Sequence, residues 1–193
     1  MLKAEMLIYM PDLRTPRLRL RKLTMRDAPD IYRYSRDPEV ARHVLWDAHR
    51  SIGESRAYLR YMLRRYRTHE CGSWGIELLE TGRVIGTIGF MWVQEDNAAA
   101  EVGYSLAREY WGRGLMTEAL RAVIQYGFDH MQLNRIEAQH ETTNPASGAV
   151  MRKCHMQHEG TLRSRLFNKG RYVDVELYAI LRKDYNRTGM RRI

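Results

Sequence analysis

A mixed α/β (α+β) fold is what this sequence predicts, with one central sheet, antiparallel strands in its N-terminal part and helices on both faces. Two observations carry that reading. Three strand-like runs follow one another between Ser73 and Leu106 with only short connections, the mark of an antiparallel meander. From Gly114 onward helical and strand-like periods alternate, the mark of βαβ units. A length of 193 residues sets one domain with a real core, and no repeat or long linker divides it. We place an N-terminal extension at 1–14, the domain at 15–185 and a basic C-terminal tail at 186–193.

Taken in order, Arg17–Leu23 alternates strictly between charged and apolar residues and reads as a half-buried strand. Thr24 is placed to cap a helix from Met25 to Ser35, with Asp27 in the favourable first turn. Asp37-Pro38 opens a further short helical piece. Ser51 followed by Glu54 is a capping-box pattern, and it starts an amphipathic helix to about His69 with Tyr58, Leu59, Met62, Leu63 and Tyr66 as its apolar stripe. Strands are expected over Ser73–Leu79 and Arg83–Val93, joined by a Thr81-Gly82 turn, then over Glu101–Leu106. Gly114–His130 has the clearest helical period, and Pro145 opens a second helix reaching about His155. Arg135–His140 and Tyr172–Leu181 complete the sheet, with one more strand near Gln157–Arg165. Arg182, Lys183, Arg187, Arg191 and Arg192 read as a frayed basic tail.

Charge and composition narrow the function classes. Lys and Arg total 32 against 23 acidic residues, a formal net charge of +9 that favours anionic partners. A phosphorylated cofactor, RNA, an acidic protein or a merely solvated basic surface all satisfy it. The apolar runs are too short for a membrane span, and Lys3 and Glu5 interrupt the weakly apolar start, against a secretion signal. Cys71 and Cys154 make no disulfide framework, so a reducing, cytoplasmic setting is expected. The interleaved Arg and Tyr of Tyr58–Arg67 fit a wet helix face better than a base-stacking surface, and direct nucleic-acid binding is not expected.

The segment with the most chemistry is Glu101–Leu120. A strand ends near Leu106, Gly112 and Gly114 stand one residue apart around Arg113, and a helix begins at once. Glycines let backbone amides approach a ligand closely, and a helix start leaves several amides unpaired at the positive end of the macrodipole. Together with the Arg113 guanidinium this is an anion site. A Gly-x-Gly pair is weak evidence alone and gains weight from its place between strand and helix. The spacing excludes a nucleotide-hydrolase phosphate loop, and the third glycine of a dinucleotide fingerprint is missing.

Tyr110-Trp111-Gly112-Arg113-Gly114-Leu115-Met116-Thr117-Glu118-Ala119 resembles the cofactor loop of the GNAT N-acetyltransferases, closest to their ribosomal-protein N-terminal acetyltransferase branch. Thr15–Arg21, Gly82–Gly89 and Asn144-Pro-Ala-Ser147 with Val150, Lys153 and Glu159-Gly160 resemble further segments of that branch in order and distance. The resemblance implies acetyl-coenzyme A as donor, a primary amine as acceptor, and first among acceptors the N-terminal amine of a ribosomal protein. It implies a diphosphate on the amides of Gly112, Arg113, Gly114, Leu115, Met116 and Thr117, a pantetheine arm beside Leu106, and Asn144 and Ser147 facing the thioester. This chain departs from the superfamily at Trp111 and Met116, which replace the usual ends of the loop. It departs again at Met151, where many members carry a tyrosine acid, and at His155-Met156.

Acetyl transfer needs proximity, a neutral amine, a stabilised oxyanion and a protonated leaving thiol. At pH 7 an α-amine of pKa near 8 is about a tenth neutral, whereas lysine is almost wholly charged, so an N-terminal acceptor asks less of a base. Glu101, on the strand before the loop, is the candidate base; it equally reads as a strand carboxylate paired with an arginine. Ser147 is the candidate to hold or protonate the thiolate, although Asn144 and Ser147 also suit a plain helix cap. Trp46 and Tyr58 fall in the acceptor-side region and suit core packing. Cys154, His155 and His158 lack a fourth metal ligand at matching spacing, and neither cysteine has the setting of a nucleophile, so direct transfer without a metal is expected. Monomer and homodimer both remain compatible with the exposed sheet edges. The alternatives are a small-molecule amine as acceptor, or a non-catalytic coenzyme-A-binding or RNA-associated protein.

Overall fold

The computed structural model describes residues 10–68 and 70–189. The expected helix end at His69, most of the N-terminal extension (1–9) and Arg191 and Arg192 lie outside them. Eight strands form one sheet in the order β1-β2-β3-β4-β5-β6-β8-β7. They are β1 (Leu13–Arg14), β2 (Leu18–Lys22), β3 (Ser73–Leu78), β4 (Arg83–Gln94), β5 (Ala99–Leu106), β6 (Arg135–Glu141), β7 (Gln157–Asn168) and β8 (Arg171–Leu181). Neighbours pair antiparallel except β5 and β6, whose parallel ladder spans only Ala99↔Arg135, Ala100↔Ile136 and Glu101↔Glu137. Beyond Glu101 those two strands carry no further ladder between them, and the sheet forks.

The helices are α1 (Ala28–Ser35), α2 (Pro38–Ala41), α3 (Ile52–Arg67), α4 (Leu115–Asp129), α5 (Pro145–Lys153) and α6 (Arg182–Thr188). They cover both faces of the sheet. Adjacent residues on a strand point to opposite faces, and on β4 Val84 packs with Ile31, Leu59 and Met62 of α1 and α3. Its neighbour Ile85 packs with the cluster that contains Leu120, Ile124 and Phe128 of α4. The buried run of β4 therefore shows no polar alternation, because neither face of the central sheet meets water.

Local chemistry explains most starts and stops. Thr24–Asp27 closes as a capping turn, the Thr24 amide donating to the Asp27 carboxylate at 2.7 Å, but Met25–Asp27 is a 3-10 turn and the α-helix begins only at Ala28. Arg21 explains why this turn is rigid, since its guanidinium bridges Asp27 at 2.8 Å and Glu77 of β3. The Ser51–Glu54 capping box does not close: the Glu54 carboxylate accepts from the Arg50 amide at 2.8 Å, and Ser51 makes no side-chain cap.

The C-terminal segment corrects an expectation. Arg182, Lys183 and Arg187 belong to helix α6, which crosses the boundary drawn at 185 and runs to Thr188. Tyr185 is buried and stacks on Phe128 at 4.8 Å, and the Arg182 guanidinium donates to the carbonyls of Leu133 and Phe128 at 2.8 and 2.7 Å. Charge marked this stretch as a tail, whereas the Tyr185 ring and the Arg182 hydrogen bonds fold it back.

Candidate active site

The loop between β5 and α4 has the geometry of an anion cradle. Gly112 and Gly114 both adopt left-handed backbone, at φ of 74° and 75°, which an L side chain occupies only with strain. Gly114 is the N-cap of α4, no side chain caps the helix, and the first intrahelical bond runs from the Glu118 amide to the Gly114 carbonyl at 3.0 Å. The amides of Leu115, Met116 and Thr117 thus stand before the first helical bond, as any helix start requires, with open space beside Gly112 and only Arg17 near Gly114. The side chains of those three residues are buried, so the turn presents backbone outward. These features fit the pyrophosphate of a nucleotide-like cofactor.

Two elements distant in sequence hold the loop. The Glu118 carboxylate accepts from the Thr15 hydroxyl at 2.6 Å, the Arg17 amide at 2.9 Å and the Arg17 side chain at 2.7 Å, while Arg17 also donates to the Arg113 carbonyl at 3.0 Å. Burial alone pulls the Glu118 carboxyl upward, but these donors win and hold it below the usual carboxylate range. The Arg113 guanidinium lies over the Tyr110 ring at 5.4 Å. Arg108, in the 3-10 turn before the glycines, pairs with Asp37 at 2.9 Å and so ties the loop to α2.

A cleft of about 370 Å³ runs from this cradle into the fork. Tyr104, Ser105 and Leu106 of β5 line it, as do Gly112, Leu115, Met116 and Thr117, with Asn144, Ser147 and Val150 on one side and Val40, Arg42 and His43 on another. Outside it lies a basin bounded by Arg14, Arg17, Arg121 and Lys153, which shares Gly114, Thr117 and Lys153 with the cleft. Three basic side chains beside Arg17 suit the nucleotide end of a phosphorylated cofactor.

The candidate residues divide. Asn144 and Ser147 reach the cleft and also cap α5: the Asn144 carbonyl oxygen accepts from the Ser147 amide at 3.4 Å, and its amide nitrogen donates to the Ser147 hydroxyl at 3.1 Å. The cap and the site are one arrangement. Leu106 lies in the cleft wall, but its carbonyl already accepts the Trp111 indole N–H at 2.8 Å, so an incoming amide finds that acceptor shared. Glu101 sits at the apex of the fork and does not line the cleft; Trp92 donates to one carboxylate oxygen at 2.6 Å and Gln139 to the other at 2.9 Å. Among the described residues no arginine pairs with it, contrary to the plainer of the two sequence readings.

The remaining singled-out residues scatter. The Cys154 thiol is buried and turned to the Thr117 carbonyl, and burial pushes it up to about 12. His158 pairs with Glu176 instead of joining Cys154 in a cluster. Arg64 and Arg65 lie over the Tyr61 ring of α3, so the Arg–Tyr interleaving is satisfied within the helix. Trp46 and Tyr58 pack against the α1–α3 core.

Three contributors were not found from the sequence. Tyr104 points from β5 across the cleft, its hydroxyl donating to the Ser147 carbonyl at 3.1 Å. His43 lines the cleft, and its Nδ1 meets a carboxylate oxygen of the buried Glu141 at 3.0 Å. Nothing in periodicity or local motif signals these pairings, which join residues 43 and 98 positions apart.

The chain belongs to the GNAT family: the acetyltransferase (GNAT) domain profile matches residues 17–157. It is 35% identical over 176 residues to an uncharacterized N-acetyltransferase, p20 of Bacillus licheniformis, covering 91% of this chain and 99% of that one. It is 31% identical over 102 residues to the ribosomal-protein-serine acetyltransferase of Escherichia coli, covering 53% and 57%. Among solved structures, RimL, the ribosomal L7/L12 α-N-protein acetyltransferase in complex with coenzyme A, superposes with a TM-score of 0.79 at 22% identity, covering 89% of this chain and 98% of that one. The microcin C7 self-immunity acetyltransferase MccE, in complex with acetyl-CoA and AMP, gives 0.78 at 20% identity, covering 86% and 93%. These two show the shared fold. The protein is an acetyl-CoA-dependent N-acetyltransferase of this family. No helix among the described residues is long and apolar enough to cross a membrane.

Proposed function

We propose that the acceptor is the N-terminal α-amine of a protein, with ribosomal proteins first among candidates. The single observation that carries this reading is the cleft, which joins an uncapped helix start to the open fork and ends between α2 and α5. Named relatives that acetylate ribosomal proteins support it. So does the low demand an α-amine places on a base.

In this reading the amides of Gly112–Thr117 hold the donor's diphosphate and Arg113 supplements them. Arg121 and Lys153 face its nucleotide end, and the unpaired edge of β5 near Leu106 lies along its pantetheine arm. When bound, the donor supplies the activated acetyl group. Ser147, whose hydroxyl oxygen already accepts from Asn144, keeps its own O–H free to donate to the departing sulfur. Tyr104 holds the Ser147 backbone in place. Glu101 lies off the cleft with both carboxylate oxygens engaged by Trp92 and Gln139, so a base role for it requires an intervening water, which Glu101→Gln tests.

Thiol release from acetyl-CoA, followed by mass spectrometry of the acceptor, decides the substrate class. Peptides with free N-termini are expected to be acetylated on the α-amine and blocked peptides to be inert. Turnover confined to small polyamines overturns the protein-acceptor reading.

A further inference from the structure

We propose that His43 is the group that takes the proton from the acceptor amine, with Glu141, Asn168 and Lys169 as the residues that position it. The inference rests on the cleft being where donor and acceptor meet, and it adds a proton acceptor on the cleft surface itself.

The arrangement is built from three segments far apart in sequence. His43 follows α2 and lines the cleft opposite Asn144 and Ser147. Its Nδ1 faces the Glu141 carboxylate at 3.0 Å. Glu141, at the end of β6, is 4% exposed, and its carboxylate meets three side chains, His43, Asn168 and Thr143. Asn168 donates to its other oxygen at 2.5 Å, and Thr143 adds a hydroxyl at 3.3 Å. Lys169, next to Asn168 in the β7–β8 turn, donates to the carbonyls of Val44 and Trp46 at 2.7 and 3.2 Å. The hairpin turn therefore grips both the carboxylate and the loop that carries the imidazole.

A buried carboxylate beside one ring nitrogen fixes the tautomer. It keeps the proton on Nδ1 and leaves Nε2 with a lone pair. Burial pulls the Glu141 carboxyl upward, but the His43 and Asn168 hydrogen bonds outweigh it and hold the group ionised below the usual carboxylate range. An ionised partner stabilises the imidazolium that forms when Nε2 accepts a proton. The other charged groups on the cleft wall with His43 are Glu39 of α2 and Arg42 just after it, paired with each other at 3.5 Å, and Lys153 of α5, while Lys169 is bound to backbone carbonyls with Asp47 at 3.9 Å.

The step balances without a further reagent. One ammonium proton passes to His43 Nε2 and on to solvent. The neutral amine nitrogen then bonds to the thioester carbonyl carbon, the carbon–sulfur bond breaks, and the nitrogen's surplus proton leaves with the thiolate as coenzyme A thiol. Glu101 is worse placed for this task, since it lies off the cleft with both oxygens already engaged.

The test compares wild-type, His43→Gln, Asn168→Ala and Glu101→Gln proteins in thiol release across a pH series, using free-N-terminus peptides and spermidine as acceptors. His43→Gln is expected to lower kcat about 100-fold at pH 7 while coenzyme A affinity stays within about twofold. The deficit is expected to shrink toward about pH 9, where the α-amine deprotonates unaided. Asn168→Ala is expected to give a smaller loss of the same pH-dependent form. A His43→Gln enzyme with the wild-type rate and profile, or one equally impaired at every pH, overturns the assignment. Peptides that stay unmodified while spermidine turns over overturn the protein-acceptor function alone, and the His43 assignment is then read on spermidine.

Discussion

Ser147 does two things that one substitution separates. Its amide caps α5 through Asn144, and its hydroxyl lies in the cleft. Ser147→Ala keeps the capping amide, so stability is expected to fall by less than about 1 kcal/mol, while kcat falls about 10- to 100-fold if the hydroxyl serves the leaving sulfur. Urea unfolding and thiol release report the two effects separately. Glu118 makes a second residue-scale prediction. Its carboxyl is held below the usual range in the folded chain, so its stabilising effect is present above the unfolded pKa of about 4.3 and fades as pH falls through the lower folded value. Glu118→Gln is expected to lower the melting temperature at neutral pH and to flatten its fall below about pH 4. A variant with the same acid limb as wild type contradicts the clamp. The residues of the cradle were legible because Gly112, Arg113 and Gly114 are adjacent in sequence. Thr15 and Arg17 were legible as a pattern only, since their partner Glu118 lies about a hundred positions away and no local period encodes such a contact.

Elements were legible where burial is periodic. α4 is apolar on one face over four turns, and β2 alternates, so both emerge from pattern alone. β7 is exposed along most of its length and interrupted by register shifts, which leaves little pattern to read. α6 went unread because a seven-residue helix with a single buried side chain leaves no stripe. That side chain is expected to matter: Tyr185→Ala removes the stack on Phe128 and the hydroxyl's bond to Asp129, and should cost about 3 kcal/mol in urea unfolding. An unchanged midpoint means that α6 does not contribute to the core. At the cofactor loop, Gly114→Ala places a side chain at a left-handed φ and is expected to cost about 1–2 kcal/mol. It also crowds the first-turn amides, so coenzyme A affinity falls with stability, as calorimetric titration beside thermal unfolding can measure.

At the scale of the molecule, the candidate site lies where a sheet stops pairing halfway. β5 and β6 share three residue pairs and then part, and the gap between them meets the uncapped start of α4. The antiparallel-to-βαβ change in order predicts such a mixed sheet, and the cradle could be read from one loop. The acceptor side could not, because the α2 loop, the end of β6 and the β7–β8 turn converge only in three dimensions. The claim on which the account depends is that peptide dipoles at the start of α4 receive the donor's diphosphate. Amide hydrogen exchange at Leu115, Met116 and Thr117, followed by NMR with and without coenzyme A, tests it directly. Saturating coenzyme A is expected to slow exchange at these three amides at least about tenfold, as newly satisfied donors should behave. Unchanged exchange there, with protection appearing elsewhere in the chain, contradicts it.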